Sequence, residues 1–465
     1  MPRSILGLAA LVALALVPSS LVGQGFMVNE HGTCVMARGG VGTPKPCGDG
    51  SAVFYNPAGI AGSIGGTLSL GATGIYAYGS FQDDYTGGQT DLQNSIVPVP
   101  HAYFTYGLTP QLTAGFGFFV PYGLGTKWPT TFQGYDTDFE GRFNGYDNDL
   151  RSMYFQPTVA YKVNDLLSVG AGFDFVLGSV LLNQMVDISE QEAQPGVTFG
   201  DLGIPFHTQA ASAQIKANNA TGFGGNFGVL LTPGPGVSIG ARYMTRVKLD
   251  YSGNATFEPA PTGIALPPGN PFGVPAGTPL DLVLVGGGIF DDVLVAQGGN
   301  AQITMPDQFS LGVAVSPSDV FTVMAEWQWV HWALFDTLTL DFESLPDKTI
   351  AENYGNTNGF RFGFEWAAAQ KVMVRGGYLY HEGAAPPETV TPLLPEGSRN
   401  EFTAGLGYQF SSRFAADFAY QYIAQDKRRG RVQEPLAGNP PTVDLNSGLY
   451  TFNAHLFGAT LRVLF

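Results

Sequence analysis

From about residue 65 onward, the chain alternates apolar residues with small or polar ones, segment after segment. The stretch GLGYQFSSRFAADFAYQY, Gly405 to Tyr422, shows the pattern. Leu406, Tyr408, Phe410, Phe414, Ala416, Phe418, Tyr420 and Tyr422 share one register. Gly405, Gly407, Gln409, Arg413, Ala415, Asp417, Ala419 and Gln421 share the other. Successive side chains of a strand point to opposite faces, so this is a hairpin with one apolar face, turning at Ser411–Ser412. The other short turns are Leu108–Thr109–Pro110, Val163–Asn164–Asp165, Thr232–Pro233–Gly234, Ser316–Pro317–Ser318 and Ala369–Gln370. Between them lie long segments rich in Gly, Pro and Asp, at 80–97, 122–149, 186–212, 254–300, 343–357, 383–398 and 425–449.

Alternating short and long connections are the layout of a transmembrane β-barrel, with tight turns on one side of the membrane and long loops on the other. Six short turns and a closing pair predict fourteen strands, an even number as a single-chain bacterial barrel requires. A soluble sandwich would need charge on its outer faces, yet charged residues make up only 13% of the chain. In lipid every backbone N–H and C=O must pair within the protein, which a closed barrel achieves. Phe410, Tyr420 and Tyr422 suit aromatic girdles, and the final LFGATLRVLF places Phe457, Leu461, Val463 and Phe465 in one register. The expectation is an all-β, fourteen-stranded antiparallel transmembrane barrel in the bacterial outer membrane, surrounded by lipid and lipopolysaccharide.

A net charge of −16 speaks against a nucleic-acid partner. The basic run Lys427–Arg431 reads as a solvated loop. Arg3 followed by the apolar run Ile5–Val17 reads as a signal peptide over residues 1–24. No later segment has eighteen apolar residues in a row, so no transmembrane helix is expected. An exported chain meets an oxidising compartment, so a Cys34–Cys47 disulfide is expected, with two free thiols as the alternative. No zinc-type spacing is present, and neither metal nor cofactor is expected. GVSIG, Gly236–Gly240, fits a G-x-S-x-G pattern around Ser238, but it leads into a strand where a nucleophile elbow needs a helix. No enzyme is expected.

Residues 25–62 do not alternate. Fourteen strands exceed the number whose interior side chains alone fill the lumen, so this segment is expected to plug the barrel formed by 63–465.

Several stretches then resemble the FadL/TodX-type outer-membrane transporters of long-chain fatty acids and other hydrophobic compounds. Gly25-Phe26 is similar to the family's mature N-terminus. Asn56-Pro57-Ala58 is similar to its hatch motif. VPYGLGTKW, Val120–Trp128, resembles the end of its third strand. Leu150–Phe175, Arg246–Gly253, Met324–Phe342 and Val374–Arg399 follow in the family's order. The resemblance implies a hatch of short helices and loops inside the lumen and an apolar pocket lined by the hatch N-terminus. It implies exit of a hydrophobic small molecule sideways, through a wall opening where the third strand kinks.

The residues permit this. Pro121 has no N–H for the ladder, and Tyr122-Gly123 and Gly125 follow it, so strand pairing is expected to fail here; the alternative is a plain strand end. A fatty acid would want a cation beside an apolar tunnel. The candidates are Arg38, Arg246, Lys248, Lys348 and Arg361. Val176–Val186 carries no charge where fatty-acid members often have basic residues, which leaves neutral hydrocarbons open. The chain lacks an evident association element, so a monomer is expected. The competing readings are a general diffusion porin and a structural barrel without a specific ligand.

Overall fold

The computed structural model describes residues 25–84, 86–131, 133, 138–345, 347–430 and 447–465. The signal-peptide region and residues 431–446, which include Arg431 of the basic run, lie outside them. The first six barrel strands are Gly66–Asp83, Val97–Gly107, Leu112–Lys127, Asp147–Lys162, Leu167–Asp187 and Gln209–Gly234. The seventh runs as Val237–Met244 and Val247–Pro259, the eighth as Gln297–Met305 and Gln308–Ser318. The ninth is Phe321–Val330 with the extension Thr337–Phe342, and the tenth is Thr357–Ala369 preceded by Lys348–Ala351. Val372–His381, Arg399–Gln409, Phe414–Gln425 and Gly448–Leu464 complete the ring. Each strand pairs antiparallel with the next, and the first pairs with the last from Thr67↔Leu464 to Asp83↔Gly448, which closes a fourteen-stranded barrel. Among the described residues no helix is long and apolar enough to cross a membrane.

The hairpin of Gly405–Tyr422 presents Leu406, Tyr408, Phe410, Phe414, Phe418 and Tyr420 outward and exposed. Ala416 shares their register but is buried. It stands between Tyr408 and Leu461 on the neighbouring strands, which cover a methyl group. At the long-loop end, Tyr420 and Tyr422 surround His455 on the outer wall, with Tyr420 Oη 2.9 Å from His455 Nδ1. Amphipathic rings of this kind suit the interface between hydrocarbon and headgroups.

Two turns fall later than the sequence pattern places them. The sixth strand continues through Pro233 to Gly234, and the eighth through Pro317 to Ser318. The register shifts between Val315 and Ser318 let the ladder pass Pro317, whose missing donor is tolerated at a strand end. Several strands also climb into the long segments, the third to Lys127 and the seventh to Pro259. The loops that follow the fifth and seventh strands pack on one another through Ile188, Phe199, Leu266, Leu280 and Leu284.

Residues 25–62 form two short helices, Thr33–Ala37 and Ala52–Tyr55, and a 3-10 turn, Pro57–Ile60. They touch inward-facing residues on opposite sides of the ring. Irregular backbone buried in this way needs hydrogen-bond partners, and the barrel's inner wall supplies them. Gln156 Nε2 donates to the Val53 carbonyl (2.7 Å) and Asn226 Nδ2 to that of Phe54 (2.8 Å). Glu326 accepts from the Gly42 and Thr43 amides, and Tyr103 Oη donates to the His31 carbonyl. The polar register of the strands is therefore the lining that seats this segment. Cys34 and Cys47 are joined in a disulfide within it.

Candidate functional site

Asn56 holds the interior turn. Its Oδ1 accepts from the Ala58 amide (3.1 Å), and its Nδ2 donates to Thr43 (2.8 Å) and to Val229 of the sixth strand (3.0 Å). Pro57 begins the 3-10 turn where its missing N–H costs nothing. The wall beside it is glycine for steric reasons. A Cβ on Gly228 would lie 2.0 Å from Asn56 Oδ1, and one on Gly170 would lie 2.3 Å from the Pro57 carbonyl carbon.

At the other end of the segment, Gly25 to Val28 runs beside the third strand. Val28 N–H donates to the Pro121 carbonyl (2.9 Å) and Gly123 N–H to that of Phe26 (3.0 Å). The kink is a bulge: Val120 and Pro121 together stand opposite Met153, between the pairs Phe119↔Tyr154 and Tyr122↔Ser152. Tyr122 turns inward and is buried; its hydroxyl donates to the Pro306 carbonyl (2.8 Å) and accepts from Gln308 (2.6 Å). The pairing of the second and third strands stops at Ala102↔Phe118. Higher up, the third strand is tied again through Asn94 Nδ2 to the Gly125 carbonyl (3.1 Å). A window in the wall lies between these points.

Two residues of the facing strand have no N–H to donate across this gap. Pro98 and Pro100 lie in a ladder with the first strand that continues unbroken past both. Their missing donors must therefore fall on the other side, toward the third strand. Sequence reasoning did not single them out, although VPVP inside a strand pattern carried the signal.

A cavity of about 550 Å³ passes through this window. Its lining combines residues that face inward, such as Phe26, Val99 and Leu456, with residues that face outward, such as Pro98, Val120 and Met153. A second, smaller cavity of about 100 Å³ is walled by Leu150, Leu182, Ile303, Leu338 and Tyr354, with few polar groups. Phe26 borders both. Its ring sits edge-on among Trp332 (4.9 Å between centroids), Phe335 (5.6 Å) and Tyr122 (6.2 Å).

Gly25 is clamped from two sides. Its N–H donates to Glu396 Oε1 (2.7 Å), and its carbonyl accepts from Arg399 Nη2 (3.2 Å). Its φ is +59°, and a Cβ would lie 2.5 Å from the Trp332 indole, so only glycine fits. Glu30 and His31, further along, are buried, and Glu30 also lines the larger cavity. Burial, helped by the nearby Glu401 charge, raises the Glu30 carboxyl to about 6, and burial lowers the His31 imidazole to about 3.

The five candidate cations do not converge on either cavity. Arg38 is buried against Glu365 (3.1 Å), and Arg361 against Glu326 (3.0 Å) and the Gly40 carbonyl, so both tie the interior segment to the wall. Arg246 is exposed and pairs with Asp307 (3.3 Å). Lys248 is exposed and points outward in the strand's alternation, 3.6 Å from Asp250. Lys348 is exposed on the hairpin that extends the ninth and tenth strands. Charge alone could not sort them, because facing depends on strand parity and on what the interior segment occupies. Ser238 lies within the seventh strand opposite Ala314, flanked by strands on both sides, and forms no elbow.

The profile of the family described as outer membrane protein transport protein (OMPP1/FadL/TodX) matches residues 14–465. The long-chain fatty acid transport protein of Salmonella typhi is 23% identical over 473 residues, which cover 98% of either chain. Outer membrane protein P1 of Haemophilus influenzae is 23% identical over 396 residues, 80% of this chain and 77% of that one. Among solved structures, a Pseudomonas aeruginosa FadL homologue superposes with a TM-score of 0.75 at 21% identity, covering 95% of this chain and 100% of that one. The toluene transporter TodX of P. putida gives 0.68 at 18% identity, covering 96% and 99%. These structures share the fold. With the closed barrel, the filled lumen and a match across nearly the whole sequence, the chain belongs to the OMPP1/FadL/TodX family of outer-membrane transport proteins.

Proposed function

We propose that this protein is an outer-membrane uptake channel for hydrophobic small molecules, long-chain fatty acids or hydrocarbons, which leave sideways through the window between the second and third strands. One observation carries the reading: a single cavity is lined by both faces of the barrel wall at the kink. A ligand there reaches lipid without crossing water, so its apolar surface is never rehydrated on the way out. The relatives named for fatty-acid and toluene transport support the substrate class. Residues 25–62 act as the hatch. They fill the lumen that a diffusion porin would leave open, and Phe26 separates the inner pocket from the window. The site is complete within one chain, which supports action as a monomer amid outer-membrane lipid and lipopolysaccharide. The role is transport, and no chemical step is assigned to any residue.

The test is Gly123→Trp. A Cβ at Gly123 meets nothing closer than 3.5 Å, so a side chain can be rooted there without a backbone clash, and an indole on it fills space at the window. Uptake of radiolabelled laurate and of radiolabelled toluene should both fall to the level of cells lacking the protein, with heat-modifiable mobility retained. Undiminished uptake of both would show that the window is not the route.

A further inference from the structure

The outer wall of the seventh, eighth and ninth strands changes character at one level. Toward the short turns its outward residues are aliphatic, and Ile239, Leu311, Val313 and Val323 are exposed. Tyr243, Trp327 and Trp329 follow on the same face. The regular ladder then breaks. Thr245 and Arg246 lie between the paired segments of the seventh strand, Pro306 and Asp307 between those of the eighth, and His331 follows the first segment of the ninth. Below the break, Val237–Met244 is 8 residues long and Phe321–Val330 is 10. At about 3.3 Å per residue and a tilt of about 40°, that is roughly 20–25 Å of height, close to the apolar band of an outer-membrane barrel. The break therefore falls where acyl chains give way to head groups, on the long-loop side.

Asp307 organises this level. Its carboxylate accepts from the Tyr243 hydroxyl (3.2 Å) and from His331 Nδ1 (3.0 Å), and it pairs with Arg246 Nε (3.3 Å). The Asp307 side chain is 6% exposed and that of Arg246 is 53%, so the guanidinium, not the carboxylate, meets the surroundings. The two terminal nitrogens of Arg246 have no partner among the described residues. With Nδ1–H given to Asp307, the other ring nitrogen of His331 is an acceptor. Lys248, two residues on, shares the outward face and lies 3.6 Å from the exposed Asp250, which also accepts from Gln302. A forked donor facing outward, an acceptor beside it and aromatic rings above an apolar wall fit one lipid chemistry: a phosphate on a sugar that carries acyl chains. We propose that Arg246 and His331 bind the phosphorylated glucosamine head of outer-leaflet lipopolysaccharide, with Asp307 as the positioning residue. The site stands on the wall of the seventh to ninth strands, apart from the window between the second and third. The inference rests on the reading of a barrel set amid lipopolysaccharide and adds the place where that lipid is held.

The test titrates the purified full chain, in a sugar-free detergent, with bisphosphoryl lipid A and in parallel with phosphatidylglycerol, which has a phosphate but no sugar. Lipid A should bind and phosphatidylglycerol should bind more weakly. Arg246→Gln should weaken lipid A by about tenfold to a hundredfold. Arg246→Lys should recover only part of that loss, because an ammonium lacks the planar fork. Asp307→Asn separates positioning from charge. It removes a negative charge, so a site built on charge alone would tighten, whereas a guanidinium released from its carboxylate should bind lipid A less well. Heat-modifiable mobility shows that each variant is folded. Unchanged lipid A affinity in Arg246→Gln, tighter binding in Asp307→Asn, or equal affinity for phosphatidylglycerol overturns the assignment. Toluene uptake by cells carrying the wild-type protein is measured separately; its absence would count against the channel and leave the lipid site standing.

Discussion

Glu30 and His31 are adjacent in sequence, enclosed by the barrel, and shifted in opposite directions by the same burial. Their effects on hatch docking can be signed. The docked His31 refuses a proton until about pH 3, while a released one takes it up near 6.5, so docking weakens as pH falls through that range. The docked Glu30 takes up its proton near pH 6, a released one only near 4.5, so docking strengthens as pH falls from 6 to 4.5. Each slope is about 1.4 kcal/mol per pH unit, and in the shared window they cancel. Hatch stability in the wild type should be nearly flat between pH 6 and 4.5, whereas Glu30→Gln should lose about 2 kcal/mol across it. Amide hydrogen exchange of residues 30–40 measures this, and a flat profile in the variant would refute the assignment. Little of this was legible beforehand. Both residues sit in a segment without periodicity, and their environment is built by strands hundreds of residues away, as the Gln421–Glu30 contact shows.

At the scale of elements, Pro121 and its glycines raised two readings in the sequence, a kink or a plain strand end; in the structure the third strand bulges at Val120–Pro121 and goes on pairing with the fourth. The prolines of the facing strand were less visible. Pro98 and Pro100 matter only because of which side their missing donors face, and that follows from the register with the first strand. Replacing both with Thr restores two donors toward the third strand. The pair should let the second and third strands zip further, slow exchange of the Val120–Leu124 amides, and lower laurate uptake by at least about fivefold, since each added backbone hydrogen bond contributes about 1 kcal/mol. Unchanged exchange in Val120–Leu124 would mean that the hatch, and not the prolines, holds the strands apart. The disulfide joins two residues thirteen apart, so its partner could be named from the compartment and the count of two. What it braces, the turn that carries Arg38 to Glu365, could not.

For the whole molecule, the outward face is apolar and the inward face polar, the reverse of a soluble domain. Leu461 and Phe457 are 65% and 60% exposed, while Gln156, Asn226 and Gln308 are buried. Several inner polar groups, Gln156 and Asn226 among them, bond to residues 25–62, so removing that segment should open a wet lumen. A chain lacking residues 27–60 should conduct ions in planar bilayers at several times the wild-type level; equal conductance would show that the external loops, not the hatch, seal the barrel. Period-two alternation, the order of short and long turns, and the scarcity of charge were enough to determine a fourteen-stranded lipid-facing barrel. Such properties are local: each strand's pattern states which face meets hydrocarbon, whatever its neighbours do. The tertiary structure alone decided which charged groups reach the cavities. Arg38, Arg361 and Arg399 are alike as residues, and they differ only in what the folded hatch places against them. Long-range contact inside a closed ring leaves no periodic trace along the chain, so the grip of Arg399 on the Gly25 carbonyl became visible only in the folded structure.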